Sequence, residues 1–268
     1  MSNPHTNNRQ YLRNVAYKDA SRLNARIDFW RRYGSEGSSW NGRLFDLMQL
    51  PEQARILELG CGPGHLWSWA SHSGRISPGW EITLTDLSEG MLADAQKVLG
   101  GISDRFNFRL VDAVAIPFED ASFDAVIANH MLYHVSDLER AVGEIARVLK
   151  HDGHLYALTN GSAHIKEMIE LQRQFALDED EAAGAGAAHE TFTVEAGTDL
   201  LRGHFSTVEV NSDQGIVEVD DPAAITAYVA SMSIAVSIDA LEDFVRSRIA
   251  AAGFFAVTRS SGLLVAVP

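Results

Sequence analysis

Short apolar segments alternate with stretches of helical spacing from residue 50 onward. Each segment has the length of a buried strand, and each is followed by a stretch with a helical pattern. Strands that alternate with helices predict βαβ units, and therefore a mostly parallel sheet with helices on both faces. The predicted strands are RILEL (55–59), EITLT (81–85), FNFRLV (106–111), FDAVIAN (123–129) and HLYALTN (154–160).

Two helices between these strands have recognisable starts. Ser88 can cap the first of them, which is predicted to stop at Gly100. Ser136 and Glu139 form an S-x-x-E capping box before the second, whose apolar stripe faces one side. Both helices are therefore predicted to pack against the sheet.

The pattern changes after residue 160, where a helical stretch leads into the small-residue segment AAGAGAAHE. Strands STVEV and GIVEV are predicted next, then helices near 222–232 and 238–252, then a final hairpin that turns at Ser260, Ser261 and Gly262. These strands can complete the same sheet. We therefore predict an N-terminal helical lid at 1–50 and one domain at 51–268, with a helical insert at about 161–204.

Composition and charge narrow the class of partner. The net charge is −14, from 36 acidic residues against 22 lysines and arginines, which disfavours nucleic acid and anionic membranes. The N-terminal segment lacks the apolar core of a secretory signal, no apolar run reaches about 20 residues, and one cysteine cannot form an internal disulfide. We expect a cytoplasmic protein without a nucleic-acid or membrane partner. The sequence leaves both a monomer and a homodimer as alternatives.

The stretch RILELGCGPGHLW brings three glycines directly after the first strand. Gly60, Gly62 and Gly64 can adopt positive φ, and without a Cβ they let a ligand approach the backbone. Asp86 and Asp112 end the second and third strands, where carboxylates can accept from ribose hydroxyls and from an adenine amine. The alternatives are a tight turn without a ligand for the glycines, and an N-cap or turn role for each aspartate.

The glycine spacing helps to choose between nucleoside cofactors. The dinucleotide fingerprint is G-x-G-x-x-G, whereas this chain has G-x-G-x-G preceded by Glu58. A carboxylate beside the pocket suits a cationic ligand that lacks phosphate. A nicotinamide dehydrogenase is therefore disfavoured.

With these features the chain resembles the class I S-adenosylmethionine-dependent methyltransferases of the small bacterial, small-molecule type. The segments that carry the resemblance over roughly residues 50–160 are ILELGCGPG, LTDLSEGML, VDAVAIPFEDASFDAVIANHMLYHV and EIARVLKHDGHLY. The resemblance implies a Rossmann-like, seven-stranded, mostly parallel α/β sheet with helices on both faces and a C-terminal antiparallel hairpin.

The resemblance also implies a role for residues at successive strand ends, with S-adenosyl-L-methionine as cofactor. Those implied for its methionine part and methyl group are Glu58, Gly60, Cys61, Gly62 and Asn129. Those implied for its ribose and adenine are Asp86, Leu87, Met91, Asp112 and Ala113.

Candidates for the acceptor's chemistry follow the fourth strand. His130 and His134 could act as general base and substrate anchor, since histidine titrates near neutral pH. A metal site is a weaker alternative without a carboxylate partner, and His134 could instead cap the next helix. Substrate candidates are Tyr17 and Arg26 in the lid, and Tyr133, which could equally be a core aromatic.

The leading hypothesis is a methyltransferase acting on oxygen or nitrogen of a small-molecule metabolite. One alternative is a protein that binds the same cofactor for non-methylating chemistry, because one fold can host several reactions. Another is a non-catalytic regulatory partner of a second chain. No metal is expected.

Overall fold

The protein is described by a computed structural model, which covers residues 21–34, 40–179, 182, 185–186, 191–232 and 235–268. Helices α1 (Ser21–Tyr33) and α2 (Trp40–Leu47) precede the first strand. Five strands and three helices then follow in the chain. They are β1 (Arg55–Leu59), α3 (His65–His72), β2 (Glu81–Asp86), α4 (Glu89–Leu99), β3 (Phe106–Leu110), β4 (Phe123–Ile127), α5 (Leu138–Val148) and β5 (Leu149–Asn160).

The second half of the chain adds four helices and two long strands. These elements are α6 (Lys166–Phe175), α7 (Val194–Arg202), β6 (Thr207–Val219), α8 (Pro222–Ser231), α9 (Ile238–Ala252) and β7 (Phe255–Val267). The seven strands form one sheet in the order β3-β2-β1-β4-β5-β7-β6. Strands β1 to β5 pair in parallel, and β7 runs antiparallel to both of its neighbours. The predicted fold class is confirmed.

Alternate residues of β1 enter the two layers of the core. Ile56 belongs to the buried cluster that contains Trp67 of α3, and Leu57 belongs to the cluster that contains Val142 of α5. The side chains of Ile56 and Leu57 are both fully buried, as expected for a parallel strand covered on both faces. Glu58 follows Ile56 on the side of Trp67, so one buried acid lies within an apolar layer.

A third buried cluster joins the two ends of the chain. Phe29 of α1 packs edge-on against Tyr228 of α8, and the same cluster includes Met168 of α6 and Val257 of β7. Helix α2 packs elsewhere, because Phe45 lies against Trp67 in the layer beneath the sheet. The two described helices of the predicted lid therefore contact different parts of the domain.

Two predictions of local structure are wrong. Ser260 to Gly262 do not form a turn: they lie in the middle of β7 and pair with β5 on one side and β6 on the other. Likewise STVEV and GIVEV are parts of the single strand β6. Pairing on both edges fixes an extended backbone through residues that would favour a turn in isolation.

The start of α5 also differs from the prediction. Asp137, not Ser136, caps the helix, and its side chain accepts a hydrogen bond from the Arg140 N–H at 3.1 Å. The cap of α4 is as predicted, since the Ser88 hydroxyl accepts from the Met91 N–H. None of the helices in the described ranges has the length and apolar character that a membrane span requires.

Candidate functional site

A cavity of about 500 Å³ lies at the carboxyl ends of the parallel strands, where β1 and β4 meet and the strand order reverses. Open α/β sheets bind their ligands at this place. The predicted site residues on its wall are Arg26, Glu58, Gly60, Cys61, Gly62, Asp86, Leu87, Met91, Asp112, Ala113, Asn129, His130, Tyr133 and His134. Tyr17 lies outside the described residues. The structure thus brings the described candidates to one cavity, and their roles stay predictions.

The glycine run forms the turn between β1 and α3. Gly60, Gly62 and Gly64 all have positive φ, at 65°, 53° and 74°. The turn is tied to the neighbouring strand, because the Cys61 N–H donates to the Thr85 carbonyl at 2.8 Å. A Cβ on Gly60 would lie 2.7 Å from the Cβ of Met131. The backbone at Gly60 therefore lies so close to Met131 that a side chain at Gly60 does not fit.

Replacing Gly60 by alanine is expected to destabilise the fold by about 2 kcal/mol or more, because strain at positive φ adds to the clash with Met131. Gly74 is a matched control: its φ is also 65°, yet an added Cβ would meet no atom within 4 Å. Gly74→Ala should therefore cost only the backbone strain. Denaturant unfolding of both variants measures the difference, and equal losses would contradict the steric contribution at Gly60.

Asp86 is anchored at both carboxylate oxygens. One accepts from the Gly62 N–H at 3.0 Å and the other from the Ser88 N–H at 2.9 Å, which ties β2 to the glycine turn. Burial raises the pKa of Asp86, and these backbone donors oppose the rise. Asp112 accepts similarly from the Val114 N–H at 3.2 Å. Each aspartate therefore shapes its own turn while facing the cavity.

Glu58 is a buried carboxyl group, 2 % exposed, on the same wall. The indole N–H of Trp67 donates to it at 2.7 Å. Burial raises the pKa of Glu58 to about 8; the Trp67 hydrogen bond opposes this rise and the charge of Asp86 adds to it. The group is therefore mostly protonated at neutral pH, and a cation placed beside it would favour its ionised form.

Asn129 supplies evidence that the wall fits a ligand. Its side-chain oxygen is buried and accepts no hydrogen bond from the residues that the structure describes. Buried polar atoms are rarely left in this state, so an external donor is expected there. The adjoining wall of Leu87, Met91 and Ala113 is apolar and suits an adenine ring. The ammonium, ribose and adenine of S-adenosylmethionine thus find matching groups along one wall.

The two predicted histidines also line the cavity. His130 is exposed at the cavity rim, has φ 51°, and its N–H donates to the Leu158 carbonyl at 2.8 Å. His134 ends a short 3₁₀ turn, with its ring 4.5 Å from that of Tyr133. Since Asp137 caps α5, the cap interpretation of His134 is wrong. Among the described residues no cluster of three metal-ligating side chains occurs.

Sequence reasoning missed one part of the wall. Trp30, Asn160, His164 and Tyr228 also line the cavity, and the sequence patterns identified none of them as site residues. They come from α1, the end of β5, the loop after it, and α8. No local motif joins them, because only the tertiary fold brings them together.

The fold and the cavity define a class of protein. A sheet in this order, with a glycine turn after β1 and acids after β2 and β3, is the architecture of class I S-adenosylmethionine-dependent methyltransferases. Residues 57–157 match the family model described as "Methyltransferase domain". Residues 57–157 therefore have the pattern of a class I S-adenosylmethionine-dependent methyltransferase domain.

Relatives with assigned names agree with this class. A demethylmenaquinone methyltransferase of Thermus thermophilus is 34 % identical over 140 residues, which cover 52 % of this chain and 62 % of the relative. A malonyl-[acyl-carrier protein] O-methyltransferase of Geobacter sulfurreducens is 33 % identical over 174 residues, covering 64 % of this chain and 63 % of the relative.

Solved structures share the fold. The YcgJ protein of Bacillus subtilis superposes with a TM-score of 0.60 at 18 % identity, over 85 % of this chain and 97 % of that one. At that identity the likeness concerns the fold alone. The chain spans less than two thirds of the length of the two named relatives, so the similarity covers only part of either enzyme.

Proposed function

We propose that this protein transfers a methyl group from S-adenosylmethionine to oxygen or nitrogen of a small-molecule acceptor. The observation that carries the proposal is the continuity of the cavity. Its wall includes Asp86 and Asn129, which suit the cofactor, and also Trp30 and Tyr228. Cofactor and acceptor would therefore meet without crossing solvent.

The bound cofactor supplies a sulfonium whose methyl carbon is open to displacement. The protein's task is to hold the acceptor in line with that carbon and to remove its proton where one must leave. His130 follows Asn129 at the end of β4 and lies on the cavity wall, so it is the residue we propose as base. Its φ of 51° stores strain that a functional position can justify.

The names of the relatives do not fix the acceptor. One is named for a demethylmenaquinone and the other for a malonyl group on an acyl-carrier protein, which are chemically different substrates. The net charge of −14 supports a small molecule over a nucleic acid or an anionic membrane surface. The oligomeric partner that we propose is a second copy of the same chain, which would make the protein a homodimer.

Titration calorimetry with S-adenosylmethionine and with its demethylated product, S-adenosylhomocysteine, tests the first step. Incubation with methyl-labelled cofactor and a metabolite extract tests the second. Saturable binding of both ligands and a labelled small molecule are expected. Absence of binding would overturn the proposal, whereas binding without any labelled acceptor would favour non-methylating chemistry or a regulatory role.

His130→Ala is expected to lower the rate of label transfer by about 10²- to 10⁴-fold, the range of general base catalysis. Affinity for the cofactor should change by no more than about twofold, since the role proposed for His130 concerns the acceptor and not the cofactor. His72→Ala, on an exposed residue at the end of α3, is the control and should retain full activity. A His130→Ala enzyme with an unchanged rate would remove the residue from the chemistry.

A further inference from the structure

Strand β6 forms a long edge of the sheet. It has 13 residues and pairs with β7 along its whole length, and in the described part of the chain no strand lies on its other side. The outer edge therefore presents a row of backbone N–H and C=O groups about 44 Å long. The strand at the opposite edge, β3, has only 5 residues.

This edge lacks the features that normally prevent pairing with another chain. Edge strands of natural proteins are often protected by lysine, proline or a bulge. The segment 207–219 contains neither lysine nor proline. Its register with β7 runs without a shift from the pair Thr207–Val267 to the pair Val219–Phe255. The edge is therefore regular and can accept another strand along its length.

One face of β6 is also exposed. Side chains alternate between the two faces of a strand, and Val217 and Val219 enter the buried cluster that contains Met168 of α6. On the other face, the even-numbered residues from 210 to 218 are all exposed. They include Val210 at 41 % and Ile216 at 63 % exposure. Large apolar side chains beside an unpaired edge indicate an association surface.

The two exposed apolar residues are placed symmetrically along the strand. Val210 lies three residues before Asp213, and Ile216 lies three residues after it. When two copies of a strand pair antiparallel about a two-fold axis, one residue lies opposite its own copy, and residues equally distant from it oppose each other. An axis at Asp213 therefore sets Val210 of each copy opposite Ile216 of the other, which makes two apolar pairs.

The charges of β6 are compatible with this axis. Asp213 would face its own copy, but its two carboxylate oxygens accept from the Arg259 guanidinium at 2.8 and 3.1 Å, and Arg43 lies 4.0 Å away. Each carboxylate thus brings its own counter-charge. Glu209 and Glu218 lie on opposite faces of the strand, so they do not oppose each other. The repulsion from a net charge of −14 is screened over about 8 Å at physiological ionic strength.

We propose that two copies of this chain associate through β6, paired antiparallel about a two-fold axis at Asp213, so that their two sheets become one continuous sheet. The inference deepens the homodimer proposed above and does not depend on the reaction. Both β6 edges are used in the dimer and the β3 edges are short, so association stops at two copies. A standard interface takes about 20–30 residues from each partner, so one strand from each makes a dimer that dissociates on dilution.

Sedimentation velocity over a series of protein concentrations tests the role of the edge. We expect a monomer–dimer equilibrium for the unchanged protein. Ile216→Lys, which sets a charge opposite Val210 of the second copy, should raise the dimer dissociation constant at least about tenfold. The matched control is Leu110→Lys, because Leu110 is a 44 % exposed apolar residue in β3 at the other edge. This control should leave the dissociation constant unchanged, and thermal unfolding should show both variants folded.

A pair of cysteines tests the position of the axis. Opposite residues of antiparallel strands have Cα atoms about 4.5–5.5 Å apart, within the range of a disulfide. The double variant Val210→Cys, Ile216→Cys should therefore form a disulfide-linked dimer on mild oxidation, whereas each single variant should stay unlinked. Within one chain these two positions are about 20 Å apart and cannot bond. The native cysteine, Cys61, is buried and does not interfere.

The outcomes separate this inference from the other proposals. A protein that is monomeric at every concentration would overturn both the inference and the homodimer proposed above. A dimer that Ile216→Lys leaves unchanged, or that the cysteine pair does not link, would overturn the inference and leave the homodimer standing. None of these results bears on methyl transfer, which cofactor binding and label transfer test by themselves.

Discussion

Asp86→Ala is expected to weaken binding of S-adenosylmethionine by at least about a hundredfold. We propose that this carboxylate accepts from both ribose hydroxyls, and each hydrogen bond to a charged group contributes about 1.5–3 kcal/mol. A tenfold change corresponds to about 1.4 kcal/mol, so two lost bonds exceed a factor of one hundred. The variant also leaves the Gly62 and Ser88 N–H groups without their acceptor, which loosens the glycine turn itself.

Calorimetric titration measures this loss, and thermal unfolding shows how much of it comes from a damaged fold. Asp86→Asn keeps the volume and one acceptor oxygen, so an intermediate affinity is expected. Asp104→Ala removes an exposed aspartate and should leave both affinity and stability unchanged. Full affinity in a folded Asp86→Ala protein would contradict the assignment of the ribose to this carboxylate.

Glu58 is expected to make the fold less stable as the pH rises from about 5 to about 8. Its pKa is about 8 in the folded protein, against an ordinary value of 4.5 when unfolded. Between these values the folded state holds a proton that the unfolded state has lost, so raising the pH favours unfolding by about 1.4 kcal/mol per pH unit. Above pH 8 both states are ionised and this contribution levels off.

Glu58→Gln tests the effect, because glutamine keeps an oxygen for the Trp67 indole and cannot ionise. Denaturant unfolding of both proteins across this pH range should show a falling stability for the unchanged protein and a flatter profile for the variant. The difference between the two profiles isolates Glu58 from other titrating groups. Parallel profiles would show that the carboxyl group is ionised in the fold.

The first half of the fold could be predicted from sequence because its signals are local. An apolar run such as RILEL predicts a buried strand, and the glycines after it predict a turn. The positive φ values of Gly60 and Gly62 agree with that turn. The parallel sheet brings the ends of successive strands to one edge, so the sequence alone predicts that Asp86 and Asp112 lie on one wall.

The second half could not be predicted in the same way. Ser260 to Gly262 favour a turn by composition, yet pairing with β5 and β6 holds them extended. Part of the cavity wall depends on contacts between distant residues, such as that of Trp30 with Tyr228, which are 198 positions apart. Patterns within a short window carry no information about such pairs.

Strand order also constrains when each part of the domain can assemble. Strand β6 lies at the edge of the sheet and is joined to it through β7, which comes almost forty residues later in the chain. During synthesis, β1 to β5 can pair as they emerge, while residues 207–219 must wait for 255–267. Because the Ser260 N–H of β7 donates to the Nδ1 atom of His164 on the cavity wall, that part of the wall can form only after β7 has been synthesised.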